Sequence, residues 1–311
     1  MPIHTAASAA ALLALAGAAL AQPADDADQQ PPAKVTDADT KADPAFQINL
    51  GARHFFEADL DTGPGELSTT RAAVGAAVTL FPADRTRLTF AIDATESWYD
   101  FSGATGLHAS GEPFDNATEI DLSAAFSAPL NDTTNYFVSA LVGYAAESGA
   151  DFSDSLVYGG NVGFVTRQSD TFSWGLGVAV RTRLEDDALV IPLPQITWKL
   201  SDRWVLATQR GGVTLDYDAS ESLNYGLGIQ FDTRTFRLDE TGPIPAGVAS
   251  EERVPLFFYA TYKPNPTIEI TAEAGATVYS NIELFDSVGN ELVNDDVDPA
   301  IFLGLTGRIR F

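Results

Sequence analysis

The chain has no cysteine and a single methionine among its 311 residues. Without a thiol it can carry no disulfide, no Cys-ligated metal, no haem attached through CxxCH and no lipidated N-terminal Cys. Basic side chains are also scarce, with 18 Lys and Arg against 43 Asp and Glu, a formal charge of −25. That balance argues against a nucleic-acid partner, which needs a basic face. It equally disfavours anionic lipid headgroups unless divalent cations bridge them. Beyond the N-terminal region no run is long and apolar enough to be a spanning helix. Histidine occurs only at positions 4, 54 and 108, and no G-x-S-x-G nucleophile elbow is present. Gly-rich stretches such as Tyr158-Gly159-Gly160-Asn161 lie inside alternating segments and precede no helix, so they are not phosphate loops.

Residues Ala6 to Leu20 form an Ala/Leu-rich run that ends in Ala19-Leu20-Ala21. Small residues at those positions are what signal peptidase accepts, and cleavage is expected after Ala21, although no Lys or Arg precedes the run. The next segment, 22–45, is rich in Asp, Gln, Pro and Ala and has almost no large apolar side chain to repay the entropy of ordering. The expected organisation is therefore a signal peptide over 1–21, a disordered acidic, Pro-rich linker over 22–45 and one all-β unit over 46–311.

From Phe46 onward the hydrophobic period is two. Phe172, Trp174, Leu176, Val178 and Val180 alternate with Ser173, Gly175, Gly177, Ala179 and Arg181, and the pattern recurs in 223–232 and 268–278. Period two means strands with two unlike faces. A soluble sandwich alternates too, but globular strands average roughly 5–6 residues, whereas bilayer-spanning ones need about 9–11. Strands are expected near 46–59, 66–80, 86–98, 117–128, 135–147, 154–167, 171–184, 188–199, 222–237, 252–263, 267–280 and 300–311. A further short hairpin is expected within 203–217, around Gly211-Gly212. Tyr136 and Tyr144 bracket Val138, Ala140 and Val142 on one side of their strand, as interfacial girdles would. Tight polar turns (Pro82 to Arg85, Asn131 to Thr133, Gln168 to Asp170, Ser201-Asp202, Pro264 to Pro266) alternate with longer connections (Asp100 to Asn116, Leu238 to Ser250, Glu283 to Asp298). Short periplasmic turns with longer outer loops, and an even strand count, define a transmembrane antiparallel up-and-down β-barrel of about 14 strands, or 12 if the Gly211-Gly212 hairpin is only a bulge. A soluble secreted all-β protein is the rival architecture.

The last segment, Ile301 to Phe311, alternates and ends on an aromatic residue. A terminal Phe on such a strand resembles the signal read by the bacterial barrel-assembly machinery, so Phe311 is the expected assembly signal and the cell outer membrane the expected location. The C-terminal half to two-thirds of the chain is similar to a family of uncharacterised bacterial outer-membrane β-barrel proteins, known as a domain of unknown function. The matching residues are Pro194, Trp198, Ser201-Asp202-Arg203-Trp204, Leu215 to Tyr217, Arg237-Leu238, Pro264-Asn265-Pro266 and Ala274-Gly275. The resemblance implies a barrel in the outer membrane. It brings no activity and no catalytic residues.

Candidate chemistry is sparse. His54 is in phase with Ile48, Leu50, Ala52 and Phe56 and would face lipid near a rim, where outer-membrane lipases keep a His–Ser pair; no partner Ser stands out. Asp286, Asn290, Glu291, Asp295, Asp296 and Asp298 gather oxygen ligands in one segment that could bind divalent cations, without the spacing of an EF-hand. By strand phase Arg181, Arg183, Asp232, Glu269, Glu273, Arg308 and Arg310 point inward, where opposed charges either filter solutes or pair and close the lumen. The leading expectation is a non-enzymatic barrel without cofactor, a passive or gated pore for small solutes with a preference for cations. A non-conducting surface-binding or envelope-structural barrel and an outer-membrane lipid hydrolase are the alternatives.

Overall fold

A computed structural model describes residues 43–103, 105–109, 111–184, 188–209 and 211–311. The signal peptide, and all of the linker but its last three residues, lie outside the described residues. Fourteen strands form the wall: β1 (Ala45–Asp59), β2 (Glu66–Ala83), β3 (Thr86–Ser102), β4 (Asn116–Pro129), β5 (Thr134–Ala146), β6 (Leu156–Arg167), β7 (Phe172–Arg181), β8 (Leu189–Lys199), β9 (Trp204–Gln209), β10 (Gly212–Ser220), β11 (Leu223–Gln230), β13 (Val248–Asn265), β14 (Ile268–Phe285) and β16 (Ile301–Arg310). Two short strands, β12 (Asp232–Arg237) and β15 (Glu291–Asp296), extend the sheet beyond the wall. Each wall strand pairs antiparallel with its neighbours, and β1 closes on β16 from Gln47↔Arg310 to Phe55↔Phe302. The result is a closed transmembrane barrel of 14 strands, with the Gly211-Gly212 hairpin supplying two of them.

Alternation turns one apolar set outward. Leu50, Leu176, Leu303 and Leu305 are 50–57% exposed, values that no soluble core would leave and that hydrocarbon accommodates. Aromatic rings collect near the end that carries the tight turns: Phe126 meets Tyr136 at 6.0 Å, Phe164 meets Trp174 at 5.6 Å and Trp204 meets Tyr217 at 4.9 Å. Tyr144, towards the opposite end of its strand, stacks on Phe152 at 5.3 Å. Both chain ends of the barrel lie at the turn end, where Phe311 N–H donates to the Phe46 carbonyl at 2.9 Å.

The loop end departs from the simple up-and-down plan in one region. The strand expected over 222–237 breaks after Gln230, because β10 starts at Gly212 and leaves no further wall strand for it to follow. The chain continues as β12, which pairs with the upper part of β13 (Asp232↔Arg253 to Arg237↔Val248) and turns inward to meet β5 at Ala146. Register shifts at Val254/Pro255 accompany the bend, as expected where a bulge tightens strand twist. The segment 283–298, expected as an open loop, contains β15, which pairs back on β14 over Asn281–Phe285. Together β12, the upper parts of β13 and β14, and β15 roll over the loop end of the lumen.

A hydrophobic cluster fills the space under this roll. Phe55, Phe236, Phe302, Leu238, Ile282 and Leu284 are buried to 1% exposure or less. Phe114 packs edge-on against Tyr99, Phe101 and Phe236 at 4.9–5.2 Å. The loop end of the barrel thus carries a packed apolar plug; among the described residues no such cluster closes the turn end.

Candidate functional site: a plugged lumen with unlike walls

Long inward side chains reach their partners by passing over a glycine on the intervening strand. Arg53 and Glu273 both register with Gly304, and Arg53 Nη2 lies 2.6 Å from Glu273 Oε1. Tyr259 and Asp216 both register with Gly226, and the Tyr259 hydroxyl donates to the Asp216 carboxylate across it. Phe137 covers Gly163 and Gly177 in the same way. A Cβ at Gly163 would come within 2.6 Å of Gly177 Cα as well as striking the Phe137 ring. Gly163→Val is therefore expected to destabilise the barrel by about 1–3 kcal/mol, read as a lower urea midpoint in detergent, with Gly307→Ala, which would meet nothing within 4 Å, as the unperturbed comparison.

Beneath the plug lies an ion network that ties β12 to the opposite wall. Arg71 on β2 pairs with Asp232 on β12 and with Glu251 on β13. Glu251 also pairs with Arg253 and accepts from the Tyr99 hydroxyl at 3.1 Å. Arg234 on β12 pairs with Glu119 on β4 and lies 3.5 Å from Asp232. Arg71, Glu251 and Arg253 are at most 5% exposed. Charges so far from water persist only when paired and hydrogen-bonded. The Arg253 guanidinium also sits 4.1 Å from the Phe55 ring centroid, a cation–π contact that joins network to plug. Arg237, at the end of β12, donates to the carbonyls of Asp154, Leu184 and Ala246 at 3.1–3.2 Å and so anchors the strand to three loops.

Of the residues singled out by strand phase, Asp232 and Glu273 enter these pairs. Glu269 forms a second centre nearer the turn end, 3.1 Å from Arg308, 3.6 Å from Lys263 and 4.0 Å from Arg310. Arg181 and Arg183 are placed elsewhere. With Leu184, Leu189, Glu252 and Glu283 they line a cleft of about 50 Å³ against the outer face of β12, where Thr233 and Thr235 face them. Sequence reasoning missed Arg53, Arg71, Tyr99, Glu119, Arg234, Glu251 and Arg253. Parity alone would have placed Arg53 with Gln47 and Asn49, and Arg71 with Gly75, on the inner set. Glu251 and Arg253 keep the inward parity of Tyr259 along β13, whereas on β14 the shift between Thr277 and Tyr279 reverses parity.

His54 points outward. Its Nδ1 lies 2.8 Å from Thr70 Oγ1 and its ring meets Phe56 edge-on at 4.7 Å, so its hydroxyl neighbour is a threonine and not a serine. His108 lies in the β3–β4 loop, its carbonyl accepting from Gly111 N–H at 2.9 Å. The acidic residues of 286–298 are dispersed. Asp286 accepts from Asn290 and Val288 within its own turn, which holds its carboxyl below the ordinary range, the Asn290 side chain contributing most. Asp295 is buried and accepts from Thr62. Among the described residues no group of three or more His, Asp or Glu side chains is placed to hold a metal ion.

The solved structures similar to this one include the COG4313 outer membrane channel from Pseudomonas putida F1. It is 10% identical, with a TM-score of 0.50, and the match covers 89% of this chain and 100% of that one. The P. putida toluene transporter TodX is 8% identical with a TM-score of 0.43, covering 86% and 90%. At 10% identity the likeness to the COG4313 channel is one of fold. No curated protein matches the sequence. A sequence-family profile does match, over residues 111–303, from the β3–β4 loop into β16, and by that match across more than half of its length the chain belongs to the family described as Domain of unknown function (DUF6268).

Proposed function

We propose that the protein is an outer-membrane channel for small solutes, with its axial path gated at the loop end by β12 and the plug above it. The observation that carries this reading is the polar lining of the lumen below the plug. Inward Asp93 and Asp121 sit directly opposite each other on β3 and β4, and inward Ala73 is exposed. A barrel of purely structural purpose could fill that volume with apolar side chains at lower cost. In this reading Arg181, Arg183, Asp232, Glu269, Glu273, Arg308 and Arg310 belong to the lumen and its gate, and the acidic loop end draws cations to the outer side of the closure.

The tight turns and both ends of the barrel face the periplasm, and the longer connections face outward. Phe311, 70% exposed on the last strand, is the contact offered to the assembly machinery. Outer-membrane lipids surround the wall, with divalent cations bridging the acidic loops to them. No catalytic or cofactor role is assigned to any residue.

Conductance in planar bilayers tests the proposal. Purified protein is expected to stay closed at low voltage and to show discrete steps as voltage rises. Protein that inserts and folds, as shown by heat-modifiable migration, yet conducts at no voltage would favour the non-conducting structural barrel and end the channel reading.

A further inference from the structure

The geometry points to a lateral passage through the barrel wall, beside the upper edge of β8, for small apolar solutes; this rests on the channel reading above. Three independent features meet at that edge.

The first is a missing neighbour. β8 pairs with β7 from Leu189 to Trp198, but with β9 only over Thr197–Lys199. At Ile196 the ladder is already replaced by a side chain, with the amide donating to Thr208 Oγ1 at 2.8 Å. Among the described residues no strand lies beside 189–194 on that side. The strands that would have filled the wall, β9 to β11, end at Gln209, Gly212 and Gln230, and β12 has turned inward to β5.

The second is that the edge is unable to recruit a strand. Lys199 N–H donates towards β7, to the Thr171 carbonyl at 2.8 Å, whereas Ile196 N–H and Leu200 N–H donate towards β9. Amides at even positions therefore point away from β7. Pro192 and Pro194 occupy two such positions and carry no N–H. Proline at the outward amides of an edge is a means by which sheets refuse a further strand. The gap is built to stay open, not to be closed by a second copy.

The third is the chemistry of the inner wall next to the gap. Leu189, Ile191 and Leu193 point inward from β8 and cluster with Ala179 and with Leu141, which registers across Gly159. Phe137 extends this surface over Gly163 and Gly177. Apart from Arg181 on β7, at the top of this wall beside Leu189, and Asp216 on β10, the charged residues of the lumen lie on the other side, on β1 to β4, β14 and β16 and on the inward roll. An apolar solute entering such a two-sided lumen follows the wall that costs it no desolvation of polar groups. That wall joins hydrocarbon at the edge of β8 to the lumen below the plug, so a solute already in the bilayer reaches the turn end without crossing the plug.

The absence of native cysteine makes the test clean. Cells with an intact lipopolysaccharide leaflet would express the protein, and entry of N-phenyl-1-naphthylamine and of arabinose would be followed in parallel. Val190 and Val180 face outward and pair with each other, Val190 lying on the lip of the gap, and Val178 is one strand removed beside Pro192. Wild-type protein is expected to speed entry of the apolar probe over empty-vector cells. Leu193→Asp, and Val190→Cys blocked with a bulky maleimide, should abolish that gain, while equally labelled Val178→Cys and Thr306→Asp, on the polar wall between Gly51 and Thr271, should keep it. Heat-modifiable migration shows that each variant is folded. Arabinose entry without any gain for the apolar probe, or a probe gain untouched by both blocks, overturns the lateral passage and leaves the channel standing. No gain for either solute overturns the lateral passage, while the channel reading falls only with silence at every voltage in planar bilayers.

Discussion

Replacing Arg71 by alanine is expected to convert a closed barrel into one that opens readily in planar bilayers. Arg71 is the cation shared by Asp232 and Glu251, and all three lie away from solvent. Removing it leaves two carboxylates competing for Arg234 and Arg253 in a low-dielectric space. Breaking a buried pair from one side costs about 3–5 kcal/mol, because the abandoned charge must be rehydrated. The wall ladders on β1 to β8 do not depend on this contact, so the cost falls on the attachment of β12. At about 1.4 kcal/mol per tenfold, the detached state gains roughly two to three orders of magnitude in population. Single-channel recording should show frequent openings at voltages where the wild type is silent, with unchanged heat-modifiable migration. Arg71→Met combined with Glu251→Met, which removes cation and anion together, should return the recording towards silence. Wild-type silence persisting in Arg71→Ala would mean that β12 is not the gate.

The second large effect concerns the outer face. Val162 is central on β6, 58% exposed and flanked by Val138 and Val178 on the neighbouring strands. Arginine there would stand at mid-bilayer, where a cation on the lipid face costs about 2–4 kcal/mol. Its sequence neighbour Asn161 points inward, and Asn161→Arg would place the same charge against the lumen. Unfolding of the two variants by urea in lipid vesicles should therefore differ, with Val162→Arg lower in stability by about that amount and Asn161→Arg close to wild type. Equal losses for both would contradict the assignment of the two faces.

Most of the wall is legible in the order of residues because its information is local. A strand that meets hydrocarbon on one side and a lumen on the other must alternate, as Phe172 to Arg181 and Ile301 to Arg310 do. Tight turns such as Asn131-Asp132-Thr133, where Asn131 Oδ1 accepts from the amides of Thr133 and Thr134 at 2.9–3.0 Å, mark where one strand hands over to the next. The Gly211-Gly212 hairpin could be placed for a similar reason, since Gly211 sits at φ 72°, a region that other residues avoid. The inner glycines Gly163, Gly226 and Gly304 look like breaks in a strand when read singly. Their use appears only when three strands are seen side by side.

The bend at Phe231 was not legible. Residues 222–237 carry an unbroken alternating pattern, and nothing within them announces that Asp232, Arg234 and Phe236 leave the wall. The reason lies in partners far away along the chain: Arg71 is 161 positions from Asp232 and Glu119 is 115 from Arg234. The segment 291–296 was read as an acidic loop for a related reason, since the pairing of β15 with β14 supplies ladder bonds that its composition does not advertise.

Strand period, turn chemistry and the supply of large outward side chains settle that this chain makes a two-faced sheet long enough to span a bilayer, because each depends on neighbours a few residues apart. Whether the lumen is open, which charges meet within it, and where the wall lacks a strand were decided only in three dimensions. Those outcomes depend on contacts between residues a hundred or more positions apart, and a one-residue shift such as that on β14 between Thr277 and Tyr279 exchanges inside for outside without altering the residues on either flank.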